Sequence, residues 1–319
     1  MCSIQSFTPK TNAMELLDIK ETLDRRIDEI SSLVAITNKS SVLVIKQFPH
    51  DKDEITLIPP PLESISNVLC FVELGSSKIA EAVINMMDGI VDYIIVDEDL
   101  KLVQSQNIID ACVDKTKKSK LFFFSDTEAW INAALTFIQQ VCNGIYDKKI
   151  AVLGEGILFQ AFSQKLKNMG STLVEKNDID LADLVVGANI KKQLDLPIIK
   201  LKPGVIFFDL GLGNFSPETI NRGIEEGATF YRSDMRAGIS STVLRILETD
   251  YLLRNMMGTT KIAGVEVAAG GVIGAEGAII LDDISKPSYL FGVANGDGTF
   301  KKQLSKADEE RIKIIQNII

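Results

Sequence analysis

The residues Leu153-Gly154-Glu155-Gly156 join an apolar run, Lys149–Leu153, to a stretch with helical spacing of its apolar residues. Gly154 permits a tight turn from strand to helix. Gly156 lets the backbone approach a phosphate or sugar at the helix start, where free N–H groups and the helix dipole favour negative charge. Glu155 lies between them in the same turn. The third glycine of a G-x-G-x-x-G fingerprint would fall at Phe159, whose ring opposes close helix–strand packing and narrows the path for a pyrophosphate. Glu175 closes the next β-like run roughly twenty residues on, where an acidic side chain takes ribose hydroxyls. A carboxylate there repels a 2′-phosphate and favours NAD over NADP, and Lys176 beside it tempers that preference. S-adenosylmethionine also presents a ribose diol, so Glu175 accommodates either ligand.

Two further apolar runs end in small or polar residues, Gly187-Ala188-Asn189 and Asp209-Leu210-Gly211-Leu212-Gly213-Asn214. Ligands of open α/β sheets bind outside the carboxyl ends of strands, which makes Ala188, Asn189 and Gly211 candidates for contact with a cofactor. In the first half, Asp97 follows the run Tyr93–Val96 and is the candidate general base. Asp126 stands at the start of a long helical pattern, where Ser125 or Asp126 is expected to cap the helix. Arg236, in Ser233-Asp234-Met235-Arg236, suits a substrate carboxylate through its two-pronged donor geometry. Its alternative is an ion pair with Asp234. The only histidine, His50, lies in a polar loop, so acid–base chemistry falls to Asp, Glu, Lys or Tyr.

Short β-branched runs alternating with helical patterns must position these residues. An amphipathic helix is expected over 14–36, strands over 42–45, 68–72, 93–96 and 121–124, and a helix over 78–87. A spine helix over 127–143 ends at Gly144. Beyond it come further strands, among them 149–153, and helices over 159–169, 217–226 and 243–256. Strand–helix–strand alternation implies parallel sheets covered by helices. The expected fold is therefore α/β with two α/β domains. Residues 1–144 form a substrate or catalytic domain with the spine helix. Residues 145–319 form a Rossmann-type doubly wound domain with a C-terminal strand extension and helix. The tail strands are expected to pair with the first domain or with a second subunit, and a homodimer is the expected assembly.

Composition narrows the partners. A net charge of -9 argues against nucleic acid and gives no support to an anionic membrane surface. No apolar run approaches the roughly 20 residues of a bilayer span, and the start of the chain lacks a signal-peptide pattern, so a cytoplasmic protein is expected. The four cysteines are widely spaced without a C-x-x-C pair, so neither a disulfide framework nor a metal site is expected. Cys70 and Cys142 read as small core residues.

The segment 125–256 resembles two-domain dehydrogenase families built as catalytic domain, spine helix and Rossmann domain: methylenetetrahydrofolate dehydrogenase, shikimate dehydrogenase and the dipicolinate synthase reductase subunit. The resemblance rests on the runs 150–156, 181–188 and 201–213 and on their spacing. It carries no family catalytic signature across. It implies an NAD(P)-dependent oxidoreductase acting on a small molecule in an interdomain cleft, with Asp97, Asp126 or Arg236 holding or protonating the substrate. The chain also looks like the pyridinol methyltransferase of iron-guanylylpyridinol cofactor biosynthesis, which uses a dehydrogenase-like Rossmann domain for S-adenosylmethionine. The missing third glycine suits that alternative. A third reading is a nucleotide-sensing protein that binds without chemistry.

Overall fold

The structure, a computed structural model, describes residues 16–47, 57–190, 192–194, 196 and 201–319, with the side chains of 16, 17 and 235–237 left aside. His50 and Cys2 lie outside the described residues. Contacts divide the chain into two compact units, 1–242 and 243–319. The expected boundary at 144/145 falls inside the first unit, between its two sheets.

The first sheet is built from β1 (Ser40–Gln47), β2 (Leu62–Glu63), β3 (Asn67–Leu74), β4 (Tyr93–Asp97) and β5 (Lys120–Phe124), in the order β2-β3-β1-β4-β5. All neighbours are parallel except the short antiparallel edge β2. β1 is a near-continuous apolar run because both faces of a parallel sheet are covered. Leu43 and Ile45 pack with Cys70, Val72 and Ile94 against α1 (Leu16–Thr37), α2 (Ser77–Met87) and α3 (Ser105–Lys115). Burial pushes the thiols of Cys70 and Cys112 up to about 12, so both serve as inert packing.

α4 (Asp126–Val141) is the expected spine helix. Ser125 is its cap, with Oγ accepting from the Glu128 amide at 3.1 Å, which leaves Asp126 free for another role. The helix ends through Asn143 and Gly144, both in the left-handed region. Cys142, expected in the core, is only half-buried beside this end.

The second sheet contains β6 (Lys149–Leu153), β7 (Thr172–Val174), β8 (Leu184–Gly187), β9 (Ile206–Asp209) and β10 (Thr229–Arg232), in the order β10-β9-β8-β6-β7. Every pair is parallel. Numbered within this half, the order is 2-1-3-4-5, a doubly wound arrangement whose direction reverses between β6 and β8. α4 and α5 (Gly156–Asn168) cover one face through Ile138, Phe162 and Phe208. The other face packs Phe207 with Phe215 and Phe230, whose ring centroids lie 4.5–5.9 Å apart.

After α6 (Pro217–Glu225), helix α7 (Met235–Tyr251) starts eight residues before its expected position at 243. Gly238, Ser240, Ser241 and Thr242 disfavour a helix by propensity. Tertiary packing overrides this: a Cβ on Gly238 would meet Ala133 Cβ at 2.5 Å and the Ala129 carbonyl at 2.8 Å, so glycine allows α7 to approach α4.

The second unit shows where the tail strands lie. β13 (Ile279–Leu281) and β14 (Leu290–Val293) are hydrogen-bonded within this unit and not to a described strand of the first domain. They form a four-stranded sheet with an unanticipated hairpin, β11 (Gly258–Ile262) and β12 (Val265–Ala269), in the order β11-β12-β13-β14. α8 (Lys306–Gln316), started by a Ser305/Asp308 capping box, lays Ile312 and Ile315 on this sheet. No helix among the described residues is long and apolar enough to cross a membrane.

Candidate functional site

The reversal between β6 and β8 separates the loops that follow these strands and leaves a crevice at their carboxyl ends. A cavity of 480 Å³ lies there, lined by Gly154, Glu155, Phe159, Glu175, Lys176, Asn189 and Lys192, with Val152, Val174, Leu194 and Leu196 as its apolar part. Of the residues expected at a cofactor, Gly154, Glu155, Glu175 and Asn189 thus share one cavity. Gly154 has φ +144°, and a Cβ there would stand 2.9 Å from both the Ala188 carbonyl carbon and Asn189 Oδ1. Gly156 has φ +86° with open space in front of it, so its backbone requires glycine and leaves the start of α5 uncovered.

Three side chains fix the loops around this cavity. The buried Asn214 donates through Nδ2 to the Asn189 carbonyl at 2.7 Å and accepts through Oδ1 from the Asn189 amide at 2.7 Å. Asp209 holds Asn214 in turn, accepting from its Nδ2 at 2.9 Å. Asn189 Oδ1 accepts from the Glu155 amide at 2.9 Å, which closes the chain across β6, β8 and β9. Ala188 is fully buried beneath this arrangement, its amide donating to the Leu153 carbonyl at 2.8 Å. Gly211 packs against Asn189, where a Cβ would collide with the carbonyl group. Ala188 and Gly211 therefore position the lining and do not line the cavity themselves. Asn214 closes a run marked in the sequence, but its clamp role was not legible there because it depends on a pairing 25 residues away in sequence.

The charges at the cavity are mixed. Glu175 is exposed, and among the described residues no side chain pairs with its carboxylate. Glu155 forms an exposed ion pair with Lys192, whose hydrogen bond and charge hold its carboxyl below the usual range. The Phe159 ring packs with the core around Phe162 and also lines the cavity.

Asp97 and Asp126 come together elsewhere, at the carboxyl edge of the first sheet. In that sheet the order of the parallel strands β3, β1, β4 and β5 also reverses, between β1 and β4. Asp97 is 0 % exposed, and Lys101 Nζ donates to its Oδ2 at 2.7 Å and to Asp126 Oδ2 at 2.7 Å. Lys46 lies 3.0 Å from Asp126 Oδ1 and 3.5 Å from Glu73. Burial pushes the Asp97 carboxyl up against the pull of Lys101. Burial works against the Lys101 ammonium too, yet Asp126 and Asp97 outweigh it and hold the ammonium above its usual range. Lys46, Gln47 and Lys101 were missed in the sequence. Their signal was present: two polar residues end the apolar strand β1, and Lys101 follows Asp97 by four residues. Arg236 belongs to α7, and its side chain is outside the described residues.

No family model and no curated protein matches this chain. Among solved structures it is similar to the methylenetetrahydrofolate dehydrogenase-cyclohydrolase (FolD) of Trypanosoma brucei, a complex with NADP and inhibitor. That match has 13% identity and a TM-score of 0.40, over 74% of this chain and 95% of that one. It is also similar to the hetero-hexameric glutamate dehydrogenase of Thermus thermophilus, with 11% identity and a TM-score of 0.37, over 76% and 84% of the two chains. A third is the aspartate transcarbamoylase of Trypanosoma cruzi, at 10% identity and a TM-score of 0.33, over 70% and 89%. One of the families whose pattern the sequence resembles is thus among the structures, and these likenesses assign no activity to the chain.

Proposed function

We propose that this chain is an NAD(P)-dependent oxidoreductase acting on a small molecule. The observation that carries the reading is the cavity at the β6/β8 reversal, where a glycine turn, a carboxylate after the second strand and Asn189 converge. The residues fit a dinucleotide. Gly154 and Gly156 hold the turn and leave the helix start open, Glu175 has a free carboxylate for a ribose diol, and Leu194, Leu196 and Val174 offer apolar cover for a base. When bound, the nicotinamide supplies hydride chemistry. The protein's part is to orient the cofactor through Gly154, Glu155, Gly156, Glu175 and Asn189, with Ala188 and Gly211 fixing the loops. Asp97 and Asp126, with Arg236, are the groups assigned to hold the substrate or move its proton.

One observation favours a second reading. Glu155 places an ionised carboxylate at the start of α5, against the charge of a pyrophosphate. S-adenosylmethionine has no pyrophosphate, so a methyltransferase on the same scaffold accommodates Glu155 without conflict.

Thermal shifts with NAD, NADP and S-adenosylmethionine decide between the two, because a ligand of the native state raises its apparent stability. Micromolar NAD or NADP binding, with substrate-dependent absorbance at the reduced nicotinamide band, is the expected result. Tight S-adenosylmethionine binding without nucleotide affinity overturns it. Two variants locate the site. Gly156→Val strains the backbone and fills the open space before α5, and should weaken nucleotide binding at least about tenfold, ~1.4 kcal/mol. Unchanged affinity in the folded variant removes this turn from the site. Glu175→Ala should weaken NAD and relax discrimination against NADP. Equal binding of both cofactors before and after the change would make Glu175 an ordinary loop residue.

A further inference from the structure

The charged cluster at the carboxyl edge of the first sheet is unevenly composed. Its ion pairs join four carboxylates, Glu73, Asp97, Asp99 and Asp126, to two ammonium groups, Lys46 and Lys101. Buried charge is costly unless it is paired and hydrogen-bonded. Here the carboxylates outnumber the cations in a place where solvent screening is weak.

Among the described residues the same cluster lacks donors. Gln47 is 2 % exposed; its Nε2 donates to the Asp97 carbonyl at 2.8 Å, but its Oε1 is buried with no hydrogen-bond partner among the described residues. Asp126 Oδ1 is buried as well, and meets Lys46 as an ion pair without an aligned hydrogen bond. Buried acceptors in folded proteins are almost always satisfied, so two short of donors in one cluster point to a missing partner. An anionic ligand would meet the carboxylate excess and bring no donor. A cation with N–H groups answers both deficits. At this edge Glu73 and Lys101 keep 30% and 18% of their side-chain surface exposed.

We propose that this edge of the first sheet binds the nitrogen of a small primary amine, whose N–H groups donate to Gln47 Oε1 and Asp126 Oδ1. The ammonium adds the positive charge that the cluster lacks, and Lys101 holds Asp97 and Asp126 in place around it. The binding site stands independently of the cofactor cavity. That the amine is the substrate rests on the oxidoreductase reading, and the two fail separately.

The probe is ethylammonium chloride, titrated into the full chain and followed by NMR at the side-chain amide of Gln47. The expected result is a saturable shift with Kd on the order of 1 mM, close to the affinity ceiling for a ligand of so few atoms. Potassium chloride and sodium propionate should give no saturable shift at the same amide. Gln47→Met should abolish saturable binding, read there from the backbone amides of β1 and β4. Glu73→Gln, a near-isosteric change at a side chain 30% exposed, should weaken binding several-fold. No saturable response in the wild type overturns the proposal, as does an equal response to potassium or propionate, or full retention of affinity in both variants. Binding of ethylammonium with no nucleotide affinity would leave the site and remove the oxidoreductase reading. Nucleotide affinity without an ethylammonium response would do the reverse.

Discussion

Lys101→Met lowers the unfolding free energy by about 3–5 kcal/mol at neutral pH, the cost of breaking a buried ion pair by removing one partner. The ammonium stands between Asp97 and Asp126, both essentially inaccessible to solvent, at 2.7 Å from each. Methionine preserves the length and apolar stem of lysine, so the loss isolates charge from packing. Burial already raises the Asp97 carboxyl, and without Lys101 nothing opposes that rise as closely. A carboxyl whose folded pKa exceeds its unfolded value holds its proton more tightly when folded. The deficit therefore shrinks as pH falls through the folded pKa of Asp97 and is largest above it. Urea unfolding at neutral pH and in mild acid measures both effects. Adding Asp97→Asn should restore part of the loss, a non-additivity expected of groups in contact. A cost below about 1 kcal/mol would class the pair with exposed, screened ones.

Gly211→Ala is the second large effect, and it arises from crowding. Gly211 has no left-handed backbone, but its missing Cβ makes room for the Asn189 carbonyl, and the added atom would also stand 2.8 Å from Asn214 Nδ2. The neighbours are backbone and a buried amide held in two hydrogen bonds, so little can yield. Overpacking of this kind costs about 1–3 kcal/mol and sometimes more. The shift would move Asn189, so nucleotide affinity should fall with stability. Gly213→Ala is the control. Gly213 has φ +83° with no atom within 4 Å of a Cβ, so alanine there meets backbone strain alone, about 1–2 kcal/mol. It should leave nucleotide affinity nearly intact. Calorimetric titration beside chemical unfolding separates the two. Equal affinity loss at both positions would show that the loop responds to any strain, and not to the contact with Asn189.

The parallel sheets were legible in the sequence because their central strands, such as β1, β4 and β8, are buried on both faces and therefore read as nearly unbroken apolar runs. The turn at Gly154 was legible because only glycine meets its backbone demand. α3 was not: its buried face is short, Ile108, Ala111 and Cys112 with the polar Ser105. The hairpin of β11 and β12 was hidden because Thr259, Thr260 and Lys261 face solvent and carry no alternation of apolar residues. At the candidate site, Asp97 and Asp126 were visible as acids ending or starting elements. Lys46 and Lys101 were not singled out, because a lysine in sequence reads as solvated surface until topology buries it. The order of strands places Lys46, Asp97 and Asp126 together, and that order is a long-range property that no local pattern expresses.

The Asn214 clamp carries a thermodynamic consequence. Asn189 is tied to Glu155 and to Asn214, and the Gly187 carbonyl accepts from the Leu210 and Gly211 amides, before any ligand arrives. A loop already ordered loses little conformational freedom on association, so little of the contact energy is spent on immobilising it. Ligand capture at this crevice should therefore leave amide exchange in the 187–189 and 209–214 loops almost unchanged. Cutting the clamp with Asn214→Ala should convert the same event into one with a larger unfavourable entropy, even where the enthalpy of contact is retained.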